Sequence, residues 1–212
     1  MIIMSETVLT VAILAGGTSG RFGSEKALAK FRDCPLVIHM IEVAKHLSSE
    51  TLVVVSSEIQ REAIGAVITG ENIVVDPEDS VRCALTGAVT AFEYAATEYV
   101  MLLPVDTPLA SIPLLRSVAD LGPGYGAVVP SWPSGYIEPL HATYLAEHAY
   151  NRGLEVIAKK KHRMSDLLDS LHNVMHISTE VLKMFDPNLD TFVNINTEQD
   201  LRKLEREYAQ RT

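Results

Sequence analysis

Residues 8–30 read VLTVAILAGGTSGRFGSEKALAK, and the change of character within them decides how the chain folds. From Val8 to Ala15 the run is apolar except for Thr10, which is the length and texture of a strand buried on both faces. Gly16, Gly17, Gly20 and Gly23 then follow in quick succession, accompanied by Arg21 and Lys26. Glycine lets a backbone turn sharply and brings its N–H groups close to a ligand. Successive N–H groups make a concavity suited to phosphate, and nearby cations add charge-assisted hydrogen bonds. A strand feeding such a loop predicts a nucleoside triphosphate site. Two familiar glycine loops do not fit. A P-loop ends in Gly-Lys-Ser/Thr, whereas Lys26 lies between Glu25 and Ala27. The dinucleotide fingerprint G-x-G-x-x-G is absent, because the spacing is Gly17-x-x-Gly20-x-x-Gly23, and this disfavours a Rossmann oxidoreductase.

Outward from the loop, short apolar runs alternate with helical patterns. Thr51 to Val55, Ile73 to Asp76, Tyr99 to Leu103 and Gly126 to Pro130 read as buried strands, with further strands over Ile137 to Tyr144 and Val174 to Ile177. Residues 16–33 form the loop and its exit. Helices are predicted from Pro35 to about His46, over Ile59 to Val67, Ser80 to about Ala96, Pro113 to Ala119 behind a Ser111 cap, Leu145 to Lys160, Ser165 to Leu171, and Thr197 to about Tyr208. Thr191 to Ile195 is an extended lead into that last helix. The pattern predicts an α/β fold, a three-layer α/β/α Rossmann-like arrangement with a mostly parallel sheet, in one domain spanning residues 1–212. Right-handed crossovers bring the C-terminal ends of parallel strands to one edge, where ligands bind. Ala15-Gly16-Gly17, Ser56-Ser57, Asp76 and Asp106 are therefore expected to converge.

Asp106, in LLPVDTPL, ends a buried strand between two prolines and is the strongest acidic candidate. A carboxylate there suits Mg²⁺, which is usually held by one or two carboxylates together with phosphate oxygens. The plain structural reading is a turn Asp before Thr-Pro. Asp76, in VVDPEDS, stands before Pro77 in a turn signal, which is its plain structural reading. Thr197 is expected to cap the last helix, while the side-chain amides of Asn194 and Asn196 are open to capping, metal or substrate. His141 is expected to pack or hydrogen-bond, with contact to a second substrate as the alternative. The basic run KKKHR at 159–163 is either a solvated helix end or a landing site for an anionic substrate.

Taken together, LAGGTSGRFGSEK, the DTP of 106–108, EPLHATY at 138–144 and FVNINT at 192–197 resemble the molybdenum cofactor guanylyltransferases of the MobA type across almost the whole chain. The resemblance implies GTP and molybdopterin as substrates, Mg²⁺ as cofactor, and molybdopterin guanine dinucleotide and pyrophosphate as products. It also implies a molybdenum-insertion protein and molybdoenzymes as partners. The implied roles place Leu14, Ala15, Gly16, Gly17, Lys26, Ser56, Asp76 and Asp106 on the nucleotide, with the loop amides of Gly16 and Gly17 toward base and phosphate. Lys26 and Arg21 would neutralise phosphate charge, and Asp106 with Asn196 would hold the metal. Related enzymes often carry Asn where this chain has Ser56, so a cytidylyltransferase acting on molybdopterin or on a sugar or polyol phosphate stays open. A nucleotide-binding module without turnover is the reading from another class; retention of Lys26 and Asp106 argues against it.

Composition narrows the classes further. At 212 residues and 47% hydrophobic content the chain supports a sizeable core, and a net charge of −9 argues against the basic footprint of a nucleic-acid binder. No apolar run approaches a membrane span, and the N-terminus lacks the pattern of a signal peptide, so a cytoplasmic location off the membrane is expected. Cys34 and Cys83 form neither a disulfide framework nor a metal spacing and are read as core or near-core thiols. His172 and His176 lack the context of a zinc site.

Overall fold

Apolar residues on both sides of β1 (Leu9–Leu14) put that strand at the centre of the molecule. In a strand, alternate side chains face opposite ways. Val11 and Ile13 enter one apolar cluster, while Ala12 and Leu14 enter a second on the other face. The computed structural model describes residues 9–16 and 25–211.

After β1 come a short hairpin, β2 (Lys30–Phe31) and β3 (Cys34–Pro35), and then α1 (Leu36–Leu47), β4 (Glu50–Val55), α2 (Glu58–Gly65), β5 (Asn72–Val75), α3 (Ala84–Tyr94), β6 (Tyr99–Pro104) and α4 (Ile112–Asp120). The second half holds β7 (Ala127–Ser131), β8 (Thr143–Leu145), α5 (Ala146–Ala158), α6 (Met164–Leu168), β9 (Val174–Ser178), α7 (Thr179–Leu182) and α8 (Glu198–Arg211). The main sheet has seven strands in the order β5-β4-β1-β6-β8-β7-β9. β5, β4, β1 and β6 pair in parallel, β8 runs antiparallel to both β6 and β7, and β7 pairs in parallel with β9.

Helices cover both faces, so the chain is a three-layer α/β/α fold. On one side α1 buries Leu36, Val37, Met40, Ile41, Ala44 and Leu47, and α4 buries Leu114, Leu115 and Val118. Each large apolar side chain so buried contributes about 1.5–3 kcal/mol. On the other side α3, α5 and α6 pack together, with Gly153 of α5 against Val89 of α3.

Several expectations are corrected. The stretch from Ile137 to Tyr144 is not one strand: Ile137 makes only a bridge to Ser131, and the strand begins at Thr143. Pro139 has no N–H for a ladder, and His141 N–H closes a turn onto Glu138. The hairpin lies where a loop exit was expected, because Arg32 and Asp33 adopt φ of 51° and 62° without the Asn-Gly pair that announces such a turn. Thr191 is not extended; residues Asp190–Phe192 form a 3₁₀ turn held by Asp186, which accepts from Thr191 N–H and Oγ–H. The helix expected from Ser80 starts only at Ala84.

Candidate active site

The C-terminal ends of β5, β4, β1 and β6 open onto one cavity of about 340 Å³. Leu14, Ala15, Gly16, Lys26, Ser56, Asp76 and Asp106 all line it. Gly17 and Arg21 lie outside the described residues. Glu25, Arg82 and Leu140 also line the cavity and were not singled out by the sequence, and Cys83, expected as a core or near-core thiol, is half-buried in the same wall.

At the β6 end, Lys26 Nζ meets Asp106 Oδ2 at 2.5 Å, with the two side chains 22% and 17% exposed. Asp106 Oδ1 is buried and has no hydrogen-bond partner among the described residues. A carboxylate oxygen left in that condition is costly unless a cation or ordered water completes it. The backbone at Asp106 is anchored from the far end of the chain, since its carbonyl accepts from Ile195 N–H at 2.9 Å. Asn196, one residue on, is exposed and does not line the cavity; its N–H donates to Asp200 Oδ2 at 3.0 Å. Thr197 Oγ1 accepts from Asp200 N–H at 3.1 Å, so Thr197 and Asp200 cap α8 from both sides.

Beneath the DTP turn lies a buried polar chain. Thr107 Oγ–H donates to the Pro104 carbonyl at 3.1 Å, which leaves Thr107 to accept from His141 Nε2–H at 3.3 Å. His141 is 1% exposed, and burial pushes its imidazole down to about 3, so it is neutral at physiological pH. Its Nδ1 faces Glu138 Oε2 at 3.9 Å. Burial pushes the Glu138 carboxyl up, opposed by the Trp132 Nε1–H that donates to it at 2.8 Å. Phe192 packs edge-on against both the His141 and Trp132 rings.

At the other end of the cavity, Asp76 is 8% exposed and accepts from Thr90 Oγ–H at 2.7 Å. Burial raises its carboxyl, and the Thr90 bond pulls it partly back. Gly16 lies so close to β4 that a Cβ there would meet Ser56 N at 3.2 Å. Its N–H donates to the Val54 carbonyl at 3.1 Å, so the Gly16 amide expected to face the ligand is already engaged. Ser56 is held by Gln60, whose Oε1 accepts from both its N–H and its hydroxyl at 2.8 Å. The sequence signal for that contact was Ser57-x-x-Gln60, a helix-start pattern; Ser57 Oγ accepts from Gln60 N–H at 3.3 Å.

A cavity at the C-terminal edge of a mostly parallel sheet, with a cation and a carboxylate meeting at its mouth, defines a nucleotidyltransferase-like protein. Comparison with known proteins gives the particular family. Residues 11–174 match the MobA-like NTP transferase domain, and the chain belongs to that family of nucleotidyltransferases. The chain is 30% identical to a probable molybdenum cofactor guanylyltransferase of Pyrococcus horikoshii, over 91% of this chain and 97% of that one. It is 28% identical to a protein of the same name from Bacillus anthracis, over 93% and 96%. The crystal structure of molybdopterin-guanine dinucleotide biosynthesis protein A from Archaeoglobus fulgidus superposes with a TM-score of 0.82 at 26% identity, over 95% of this chain and 99% of that one.

Proposed function

We propose that this enzyme transfers GMP from GTP to the terminal phosphate of molybdopterin, in molybdenum cofactor biosynthesis, forming molybdopterin guanine dinucleotide and releasing pyrophosphate. Family membership and the relatives' names support the reaction. The observation that carries it is the Lys26–Asp106 pair at the cavity, with Asp106 Oδ1 buried and without a partner among the described residues. That oxygen fits a divalent cation, for which Asp106 would be the ligand; Asn196, exposed and off the cavity lining, is not carried into this site. Magnesium supplies charge neutralisation and alignment of phosphate oxygens.

The attacking phosphate monoester is already anionic at neutral pH, so the chain needs to supply neither a nucleophile nor a strong base. Its work is positioning and charge compensation. Lys26 provides a cation within reach of the triphosphate, and Arg21 keeps the same role from the sequence. Leu14 and Ala15 form the floor on which the nucleoside lies, between Ser56 and Asp76. The reaction belongs in the cytoplasm, where GTP is made. An enzyme inserting molybdenum and the molybdoenzymes that use the product are its proposed partners; neither nucleic acid nor membrane is.

Thermal unfolding with GTP, CTP, ATP or UTP and Mg²⁺ tests the donor, since a ligand that binds only the folded state raises Tm. GTP alone is expected to shift it. Pyrophosphate release with GTP and molybdopterin then tests the reaction, and Lys26→Ala and Asp106→Asn should each lower turnover at least about 100-fold while retaining the fold. A shift with CTP and none with GTP would move the assignment to a cytidylyltransferase. Full turnover in Lys26→Ala would remove Lys26 from the reaction.

A further inference from the structure

Gln60 bridges two residues of the cavity wall. While Oε1 takes both hydrogens of Ser56, Nε2 donates to Glu25 Oε2 at 2.9 Å. Gln60 is 8% exposed, so this bridge lies largely out of water. Ser56 Oγ has given its only hydrogen to Gln60 and offers the cavity lone pairs alone. Glu25 also lines the cavity, and its Oε1 is not taken up by Gln60. This wall therefore presents acceptors.

Glu25 and Lys26 are adjacent in sequence, both line the cavity, and their side chains turn to different elements. Lys26 goes to Asp106 beyond β6, and Glu25 goes to α2 beyond β4. β4 and β6 flank β1. Neighbouring strands lie about 4.8 Å apart, so the two strand ends are roughly 10 Å apart, comparable to the span of a nucleotide from phosphate to base edge. A carboxylate beside a triphosphate would repel it. At the base end the same carboxylate is a hydrogen-bond acceptor.

Resting on the reading that GTP is the donor, we propose that Glu25 selects guanine by accepting hydrogen bonds from its N1–H and 2-amino group, with Gln60 and Ser56 as positioning residues. Guanine is the common base whose pairing edge carries two adjacent donors. Adenine and cytosine set an amino group beside a bare ring nitrogen, and uracil sets one N–H between carbonyls. Against those bases a fixed carboxylate faces a lone pair, which penalises the wrong nucleotide as well as favouring the right one. If Glu25 were only a clamp on the loop, its loss would weaken all nucleotides alike.

The test is calorimetric Kd with Mg²⁺ for GTP, for ITP (which lacks only the 2-amino group), for CTP and for inorganic pyrophosphate. Wild type is expected to bind GTP more tightly than ITP or CTP. Glu25→Ala should weaken GTP roughly 10- to 100-fold, as for loss of hydrogen bonds to a charged group, bind GTP and ITP nearly equally, and leave pyrophosphate within about twofold. Glu25→Gln keeps the side-chain shape and should lower the GTP-to-ITP preference severalfold; it carries the comparison if the alanine variant fails to fold. Gln60→Met should reduce the same preference. An unchanged GTP-to-ITP ratio in Glu25→Ala, or an equal loss for every nucleotide, would overturn the role of Glu25 and leave GMP transfer standing. A wild-type protein that binds CTP in preference to GTP would overturn both.

Discussion

His141 shows how a single residue acquires its role from its surroundings. As a free side chain it would titrate near 6.5, but burial takes it to about 3. Between those values the unfolded chain binds a proton that the folded chain does not. Its neutral form therefore stabilises the fold fully above about pH 6.5, and that contribution is lost as pH falls toward 3. At pH 5 the loss is about 2 kcal/mol relative to neutral pH. His141→Gln should flatten the pH dependence by that amount, measured by urea unfolding at pH 5 and 7.5. Asp76 and Glu138, both raised by burial, act in the opposite sense and are present in both proteins. The sequence suggested a packing or hydrogen-bonding role for His141, and the contact with Thr107 gives it a partner beneath the DTP turn. Glu25 escaped notice because nothing in GSEK tells a reader which way each side chain turns.

At the scale of elements, the strands that end at the cavity were legible because each is an apolar run closed by a turn residue. The hairpin of β2 and β3 and α7 were not, being too brief for any periodicity to register, and β8 was found only with its start placed six residues early. What α3 and α5 require of each other is also visible only in contact. Gly153→Ala would place a Cβ 2.5 Å from Val89 Cγ2. It should cost about 1–3 kcal/mol, read from denaturant midpoints, and Val89→Ala in the same chain should recover part of it. At α8, Thr197→Ala should cost about 1 kcal/mol through the lost cap. Because Ile195 N–H holds the Asp106 carbonyl just before that cap, the variant should also raise the Mg²⁺ concentration needed for half-maximal GTP binding.

On the scale of the whole molecule, the parallel half of the sheet delivers Gly16, Ser56, Asp76 and Asp106 to one edge, while the antiparallel β8 continues the sheet toward β7 and β9. Hydrogen exchange with GTP and Mg²⁺ should slow at residues 54–57, 76–87 and 104–107 and leave residues 146–151, on a separate cavity near Glu98, unchanged. Protection spread evenly over the chain would mean general stabilisation rather than occupation of this edge. Among the described residues no helix is long and apolar enough to cross a membrane.

The sequence by itself determined the class of fold and the carboxylates at strand ends. Those properties follow from apolar period, chain direction and residue chemistry, all of which are local. Only the tertiary structure decided that Lys26 lies on Asp106, that Gln60 ties Ser56 to Glu25, and that His141 is buried and neutral under Thr107. Each of those depends on side chains far apart in the chain meeting in a low-dielectric interior, where a hydrogen bond or charge must be matched. No local pattern encodes which partner it will find.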